Sequence, residues 1–452
     1  MVQSIVVLSG GTATNELVPL FNSKNYNINY ILPISDNGGS SSEIIRVIGG
    51  PAIGDIRSRL TRLIPDRQIG LQKLLSYRLD SDSKVARSEW DQIVDGTHDF
   101  WYGIPNSTKE IVRSFLLHIH VELLKRTRIY AGSSSGKQFK FEFANIGNLF
   151  LTAVRLFTGS LDAAVELFMK ITEIDTNIEV LPCLNTNFSY HISALLFDGS
   201  IITGQSQISH PSLEHVYACS SVNSVSAKHT IVSISDEVMH NSECEDANLS
   251  SDEEVGNTPS YTHPELKKSQ LHFHKTGDIE PLISPIKRVF YVSPYGEEIC
   301  PTAQPRVISK LSRAEVIVYS IGSLMTSIIP IVILKGVGKA IANSGEASKK
   351  RILLLNGCED RETSNLKALD YVRIIIESAQ YSIQKSGHKP ITEWTRFVTH
   401  LFYMENSKIF VDVEALENLG IICVSIQQDV NEIDKYDLND LQSKLMKVAC
   451  PI

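Results

Sequence analysis

The sequence predicts an α/β fold with a doubly wound, mostly parallel sheet and helices on both faces. Two observations carry that expectation. Apolar runs of about four to eight residues alternate with segments of helical period along most of the 452 residues, the pattern of βαβ units in an open α/β sheet. Two glycine-rich strings, Ser9-Gly10-Gly11-Thr12-Ala13-Thr14 and Ser35-Asp36-Asn37-Gly38-Gly39-Ser40-Ser41-Ser42, each follow such a run and precede a helix-like stretch.

In chain order, strands are expected at Ile5–Leu8, Ile28–Ile34, Ile192–Phe197, Val316–Tyr319, Ile352–Leu355 and Ile421–Val424. Pro33 lacks the amide proton that a ladder needs, so the second strand is expected to be bulged or to lie at an edge. Helices are expected at Gln68–Leu79, Lys109–Arg126, Ile146–Phe157, Leu161–Leu167 and Thr363–Lys385, where apolar residues recur at helical spacing. Residues 1–233 and 281–452 read as one α/β domain. Between them 234–280 breaks the pattern: Asp236 to Glu254 holds eight acidic residues and no Lys or Arg. Such a stretch buries too little apolar surface to offset its ordering entropy, so a disordered acidic insertion is expected there.

Composition excludes several classes. With 42% hydrophobic and 21% charged residues, 26 Gly and 17 Pro, the chain is neither fibrous nor wholly disordered. The longest apolar candidate for a membrane span, Ile321 to Val337, is interrupted by Gly322, Ser323, Thr326, Ser327, Pro330 and Lys335. The N-terminus enters an apolar strand at once and does not read as a signal peptide. Seven scattered cysteines without zinc spacing suit a reducing, cytoplasmic location. The net charge of −8 is accounted for by the acidic insertion, and no basic stripe of the kind nucleic acid requires is present.

The glycine strings carry the chemistry. Glycine allows positive φ and lets backbone amides approach an anion closely, and a helix that starts there adds unpaired N–H groups and a positive dipole end. A phosphate is the natural occupant. Neither string is G-x-G-x-x-G or G-x-x-x-x-G-K-[ST], and no lysine is present in either to reach terminal phosphates, which disfavours a P-loop ATPase. A third string, Gly49-Gly50-Pro51-Ala52-Ile53-Gly54-Asp55-Ile56-Arg57, adds a carboxylate and an arginine. Asp36 and Asp55 lie one strand-loop-helix excursion apart, so both can reach one crevice at the carboxyl edge of the sheet and hold Mg²⁺ with phosphate oxygens and water. Arg57 either neutralises a departing phosphate or pairs with Asp55, and for Arg59 the structural pairing is favoured. Asn148 either caps the helix that starts near it or faces the ligand. His118 and His120 read as packing residues. The loop of His98, Trp101 and Tyr102 reads as docked on the core rather than stacked on a ligand.

In their order, Gly10-Gly11-Thr12, Ser35 to Ser41, Pro51 to Arg57, Gly147-Asn148-Leu149 and Gly322-Ser323 to Pro330 resemble the 2-phospho-L-lactate transferase family, which also contains the gluconeogenesis factor proteins. The resemblance runs from residue 4 to about residue 375, apart from the insertion. It implies a Rossmann-like, nucleotide-binding domain. In the transferase branch a phospholactyl group linked to guanosine diphosphate (GDP) moves to a deazaflavin hydroxyl with Mg²⁺ on the diphosphate. In the other branch similar loops bind nucleotide sugars and regulate metabolism. By motif, Asp36 and Asp55 would hold the metal and serve catalysis. Gly10, Gly11, Thr12, Asn37, Gly38, Gly39 and Ser40 would line the phosphates, with Arg57 and Asn148 in the same cleft and Gly322 and Ser323 on the nucleotide side.

Two departures from the family pattern matter. Ala13 stands where a glycine is usual, which is tolerable only at negative φ, and Ile321 replaces a proline at the lip of the pocket. Two functions follow from the resemblance: a Mg²⁺-dependent transferase acting on a nucleoside diphosphate-linked small molecule, or a non-catalytic sensor of a nucleotide or nucleotide sugar. No nucleic-acid or membrane partner is expected, and the oligomeric state, a homodimer included, stays open.

Overall fold

The run Ile5-Val6-Val7-Leu8 is buried on both faces and completes β1 (Gln3–Leu8), an inner strand of a seven-stranded sheet. The computed structural model describes residues 3–21, 26–35, 38–129, 138–209, 266, 281–342, 349–432 and 434–449. Apart from Leu266, the expected acidic insertion lies outside the described residues.

Beside β1 stand β2 (Tyr26–Leu32) and β3 (Ile178–Pro182) on one side. On the other stand β8 (Val316–Tyr319), β9 (Lys350–Leu354), β10 (His400–Met404) and β11 (Ile422–Ile426). The order is β11-β10-β9-β8-β1-β2-β3 with every pairing parallel. Parallel strands covered by helices on both faces have no polar face to alternate with, which is why these strands read as continuous apolar runs. Burying each such side chain is worth roughly 1.5–3 kcal/mol.

Register fixes where the site forms. Leu8 lies opposite Ile31 on one neighbour and Tyr319 on the other, so the turns after β1, β2 and β8 leave the sheet at the same level. The chain winds outward from β1 to β2 and β3, then returns to the other side with β8, which makes the β1/β8 junction the topological switch point where open α/β sheets bind ligands.

Two strand expectations need correction. Ile192–Phe197 is found as β4 (His191–Leu196), but in a separate antiparallel sheet with β5 (Ile201–Thr203), β6 (Ile286–Val292) and β7 (Glu298–Ile299), in the order β5-β4-β6-β7. Its apolar run is the same length as those of the parallel strands, so periodicity alone does not separate the two sheets. Pro33 neither bulges an interior strand nor marks an edge, because β2 stops at Leu32 and stays between β1 and β3. The strand-ending proline is Pro182, on the edge strand β3, where the missing amide costs no ladder bond on the open side.

The expected helices form with shifted ends, among them Ile146–Thr158 and Ala368–Lys385. The Ile146–Thr158 helix is buried from Ile146 through Arg155 and is apolar nearly all round, as a helix inside the fold must be. Asn145, rather than Asn148, caps it, accepting from the amides of Gly147 and Asn148 at 3.0 and 3.3 Å. Trp90 Nε1 donates to His120 Nδ1 at 2.8 Å, and Trp101 is buried with its Nε1 bonded to Ile93 O, so both belong to packing. No described helix is long and apolar enough to cross a membrane.

Candidate functional site

The turns after β1, β2 and β8 and the start of the Gly54–Leu63 helix line one cavity of about 1090 Å³ at the carboxyl edge of the parallel sheet. Among the expected site residues, Gly10, Gly11, Thr12, Gly38, Gly39, Ser40, Asp55, Arg57, Gly322 and Ser323 all line it. Asp36 and Asn37 lie outside the described residues.

Gly10 and Gly11 are small for reasons of space. Neither has positive φ. A Cβ on Gly10 would stand 2.6 Å from Ser327 Oγ, and one on Gly11 would stand 2.5 Å from Asp55 Oδ1 and 2.7 Å from Asp55 Cα. The first turn of the Gly54–Leu63 helix is thus pressed directly against the β1 turn, and the Asp55 carboxylate is held at the cradle. Positive φ is used instead at Gly39 (55°), the N-cap of the Ser40–Val47 helix, and at Gly322 (129°). Ala13 sits in a short 3₁₀ turn and is not among the residues with positive φ, so its methyl is accommodated.

Among the described residues, neither N-cap residue, Gly39 nor Ile53, caps the Ser40–Val47 or the Gly54–Leu63 helix through its side chain. Their starts therefore direct two positive dipole ends toward the cavity, the arrangement that favours an anion.

Beneath this surface a buried polar layer sets the turns. Arg59 is fully buried; it donates to Gly10 O at 3.1 Å, Ser9 Oγ at 3.3 Å and Thr14 O at 3.3 Å, and it packs over the Tyr30 ring. These bonds hold the β1 turn, a structural role, through oxygens of Ser9, Gly10 and Thr14 where a pairing with Asp55 was expected. Asn148 is also fully buried and does not line the cavity. Its amide donates to Ser40 Oγ and its carbonyl accepts from Arg57 Nε at 3.3 Å, so it aims two cavity residues rather than facing the cleft itself. Gly322 is clamped at both backbone atoms by the Asn356 amide, at 3.0 and 2.9 Å.

Burial, then the nearby charge of Arg78, lowers the Arg57 pKa to about 10 against the opposing pull of Asp55. Arg57 therefore remains cationic at neutral pH. Behind the β8 turn, Glu362 is buried and accepts from Thr326 N at 3.1 Å, from Thr326 Oγ1 at 2.7 Å and from Ser209 Oγ. Burial, reinforced by Asp360, raises its pKa to about 7.

Several lining residues were not foreseen. Arg62 and Arg78 join the glycine turns, Ser206 and Ser209 line the rim, and Asn356, Cys358, Asp360, Asp429, Glu432, Asp434 and Lys435 form the wall beyond β9 and β11. Asn356-Gly357 follows an apolar run, a signal of the same kind as the N-terminal turns. Arg78 and the 429–435 loop carry no local signal and enter only through the tertiary fold.

The family model for 2-phospho-L-lactate transferase CofD matches residues 5–428. The chain belongs to this family. An uncharacterized protein of Saccharomyces cerevisiae is 44% identical to this CofD family member over 459 aligned residues, covering 99% of each chain. A Thermotoga maritima protein named putative gluconeogenesis factor is 32% identical over 91 residues, 20% of this chain and 29% of its own. Two structures from Bacillus halodurans align with TM-scores of 0.58 at 16% and 17% identity, covering 99% of this chain and 100% and 99% of theirs; one is described as a member of the UPF0052 family. At that identity the likeness concerns the fold alone.

Proposed function

We propose that this CofD family member binds a nucleoside diphosphate-linked small molecule in the cavity. The chain then transfers the phosphoryl-linked group to an acceptor hydroxyl in a Mg²⁺-dependent reaction and releases a nucleoside monophosphate. The observation that carries the reading is the meeting of three glycine-bearing turns and two helix starts on one cavity that also holds Asp55 and Arg57. Family membership supports it.

In this reading the β1 and β2 turns seat the diphosphate with their amides, and Arg57 opposes charge growing on the departing phosphate. Positioning and fixed dipoles supply most of the acceleration, as expected for phosphoryl chemistry. Among the described residues no three His, Cys, Asp or Glu side chains could hold a metal by themselves. The Asp55 carboxylate and the hydroxyls that line the same cavity nonetheless offer oxygen donors, the kind Mg²⁺ takes alongside substrate phosphates and water. Asp36 is proposed as the second carboxylate. When bound, Mg²⁺ would neutralise the diphosphate and stabilise the leaving phosphate.

Calorimetry with GDP, with and without Mg²⁺, tests the shared site. Asp55→Asn is expected to remove the Mg²⁺-dependent part of the affinity, and an identical Mg²⁺ response in both proteins would refute the metal assignment. A second reading, non-catalytic binding of a nucleotide or nucleotide sugar as a metabolic signal, is favoured by the match to a putative gluconeogenesis factor. Product analysis with donor and candidate acceptor hydroxyls separates the two: turnover supports the first, and stable binding without product the second.

A further inference from the structure

Arg78 has no role in the motifs, yet it lines the cavity with its Nη2 placed 3.5 Å from where a Cβ on Gly39 would stand. Its backbone is pinned. Arg78 forms an isolated bridge with Asn145, flanked by Leu79 N to Ala144 O at 3.1 Å and Ile146 N to Tyr77 O at 3.0 Å. The same segment begins the helix whose Asn148 aims Arg57 and Ser40. Both guanidinium groups are thus presented to one end of the cavity by a shared support.

The two cations repel each other, and that repulsion contributes to the lowering of the Arg57 pKa. Among the described residues no carboxylate forms an ion pair with Arg78. Two guanidinium groups held in mutual repulsion beside the start of the Ser40–Val47 helix form an arrangement that an anion stabilises. The planar fork of each can bond two oxygens at once.

We infer that Arg78 and Arg57 form a two-guanidinium seat at the β2 end of the cavity for a phosphoryl or pyrophosphoryl group with two negative charges, and that this capture operates without a divalent ion. The inference deepens the proposed function, since it names the group of the nucleotide ligand that docks there and the residues that hold it. It also separates two contributions: the arginines capture the anion without a metal, and any metal adds to the affinity for the full ligand and acts on the step that follows.

The test is titration calorimetry with inorganic pyrophosphate in EDTA on the full chain, Arg78→Gln and Arg87→Gln. Arg87 pairs with Asp91 on the Ser83–Asp95 helix, so its loss alters net charge equally without touching the cavity. The wild type and Arg87→Gln are expected to bind pyrophosphate alike, with affinity falling as salt rises, and Arg78→Gln to bind at least about tenfold more weakly. Arg78 is exposed, and an unchanged thermal transition shows that its variant is folded. No binding by the wild type in EDTA overturns the inference, as does equal weakening by both substitutions or none by Arg78→Gln. Pyrophosphate capture through Arg78 without GDP binding or turnover would leave the seat standing and remove the proposed function. GDP binding indifferent to Arg78→Gln would do the reverse.

Discussion

The two walls of the cavity are built in different ways. On one side the turns after β1, β2 and β8 are locked by steric fit and buried hydrogen bonds: Asp55 against Gly11, Arg59 under Gly10, Asn148 under Ser40 and Arg57. On the other side the 429–436 loop is anchored by Tyr436, buried with its hydroxyl donating to Leu355 O and to Phe402 O at 3.1 Å, and carries exposed ion pairs at its rim, Lys408 with Asp434 at 2.9 Å and Lys435 with Glu16 at 2.8 Å and Glu432 at 2.6 Å. Exposed pairs contribute little to stability and weaken with salt. The first wall carries Arg57, Arg62 and Arg78 on this fitted frame, as the proposed anion site requires. The second, with Asp360, Asp429, Glu432 and Asp434, is rich in carboxylates.

The largest expected effect comes from breaking the fitted wall. At Gly11 a methyl would meet the backbone of Asp55, which cannot swing aside as a flexible side chain would. Gly11→Ala should destabilise the protein by about 1–3 kcal/mol, as overpacking of a tight contact does, and should abolish GDP and pyrophosphate binding. Urea denaturation and calorimetry measure the two quantities. Wild-type affinity in this variant would mean that the turn is loose and the contrast between the walls is false.

That contrast also explains what the sequence revealed. Gly10, Gly11, Gly39 and Ser40 are legible because each stands in a glycine-rich string that follows an apolar strand, and Asp55 and Arg57 because they close the third glycine-bearing string, one helix further on. The parallel sheet is legible for a related reason, since doubly covered strands are apolar throughout. Arg78 and Lys435 are set in the cavity only by long-range packing, after a helix-to-helix connection and after the last strand respectively, and no local pattern distinguishes them from surface charges. The role of Asn148 was partly legible: its place beside the site follows from the motif. Its position one layer down follows from Gly147, whose missing Cβ lets that helix approach Leu75 O and the Arg57 side chain.

A smaller effect is expected where the walls are joined. Glu362, in the loop after β9, grips Thr326 of the β8 turn and Ser209 at the rim. Because burial and Asp360 raise its pKa from 4.5 to about 7, the folded chain holds this proton more tightly than the unfolded chain does. Its contribution to stability is present in full below about pH 4.5 and is lost as pH rises through about 7. In Glu362→Gln the carboxamide oxygen can still accept from Thr326 N, while the two hydroxyls rotate to accept from its NH₂. The variant should therefore fold and lack the component of pH dependence that wild type shows across this window, a difference of order 1–3 kcal/mol. Denaturation series at pH 5 and pH 7.5 decide the matter, and parallel profiles would show that Glu362 does not titrate there.

The smallest effect is expected at Lys435, which joins Glu16, just after the β1 turn, to Glu432 on the carboxylate-rich wall. Because this ammonium lies at the surface, Lys435→Gln should shift Tm by less than about 1 °C. Its distance from the arginine seat is a matter of sheet order, since the β11 loop and the β2 turn lie at opposite sides of the β1/β8 junction. Pyrophosphate affinity should therefore fall by no more than about threefold, and the difference should vanish in high salt, as expected for a screened, distant charge. A tenfold loss that persists in high salt would instead show Lys435 in direct contact with the anion. The carboxylate-rich wall would then share in phosphate binding, and the division of labour between the two walls would fail.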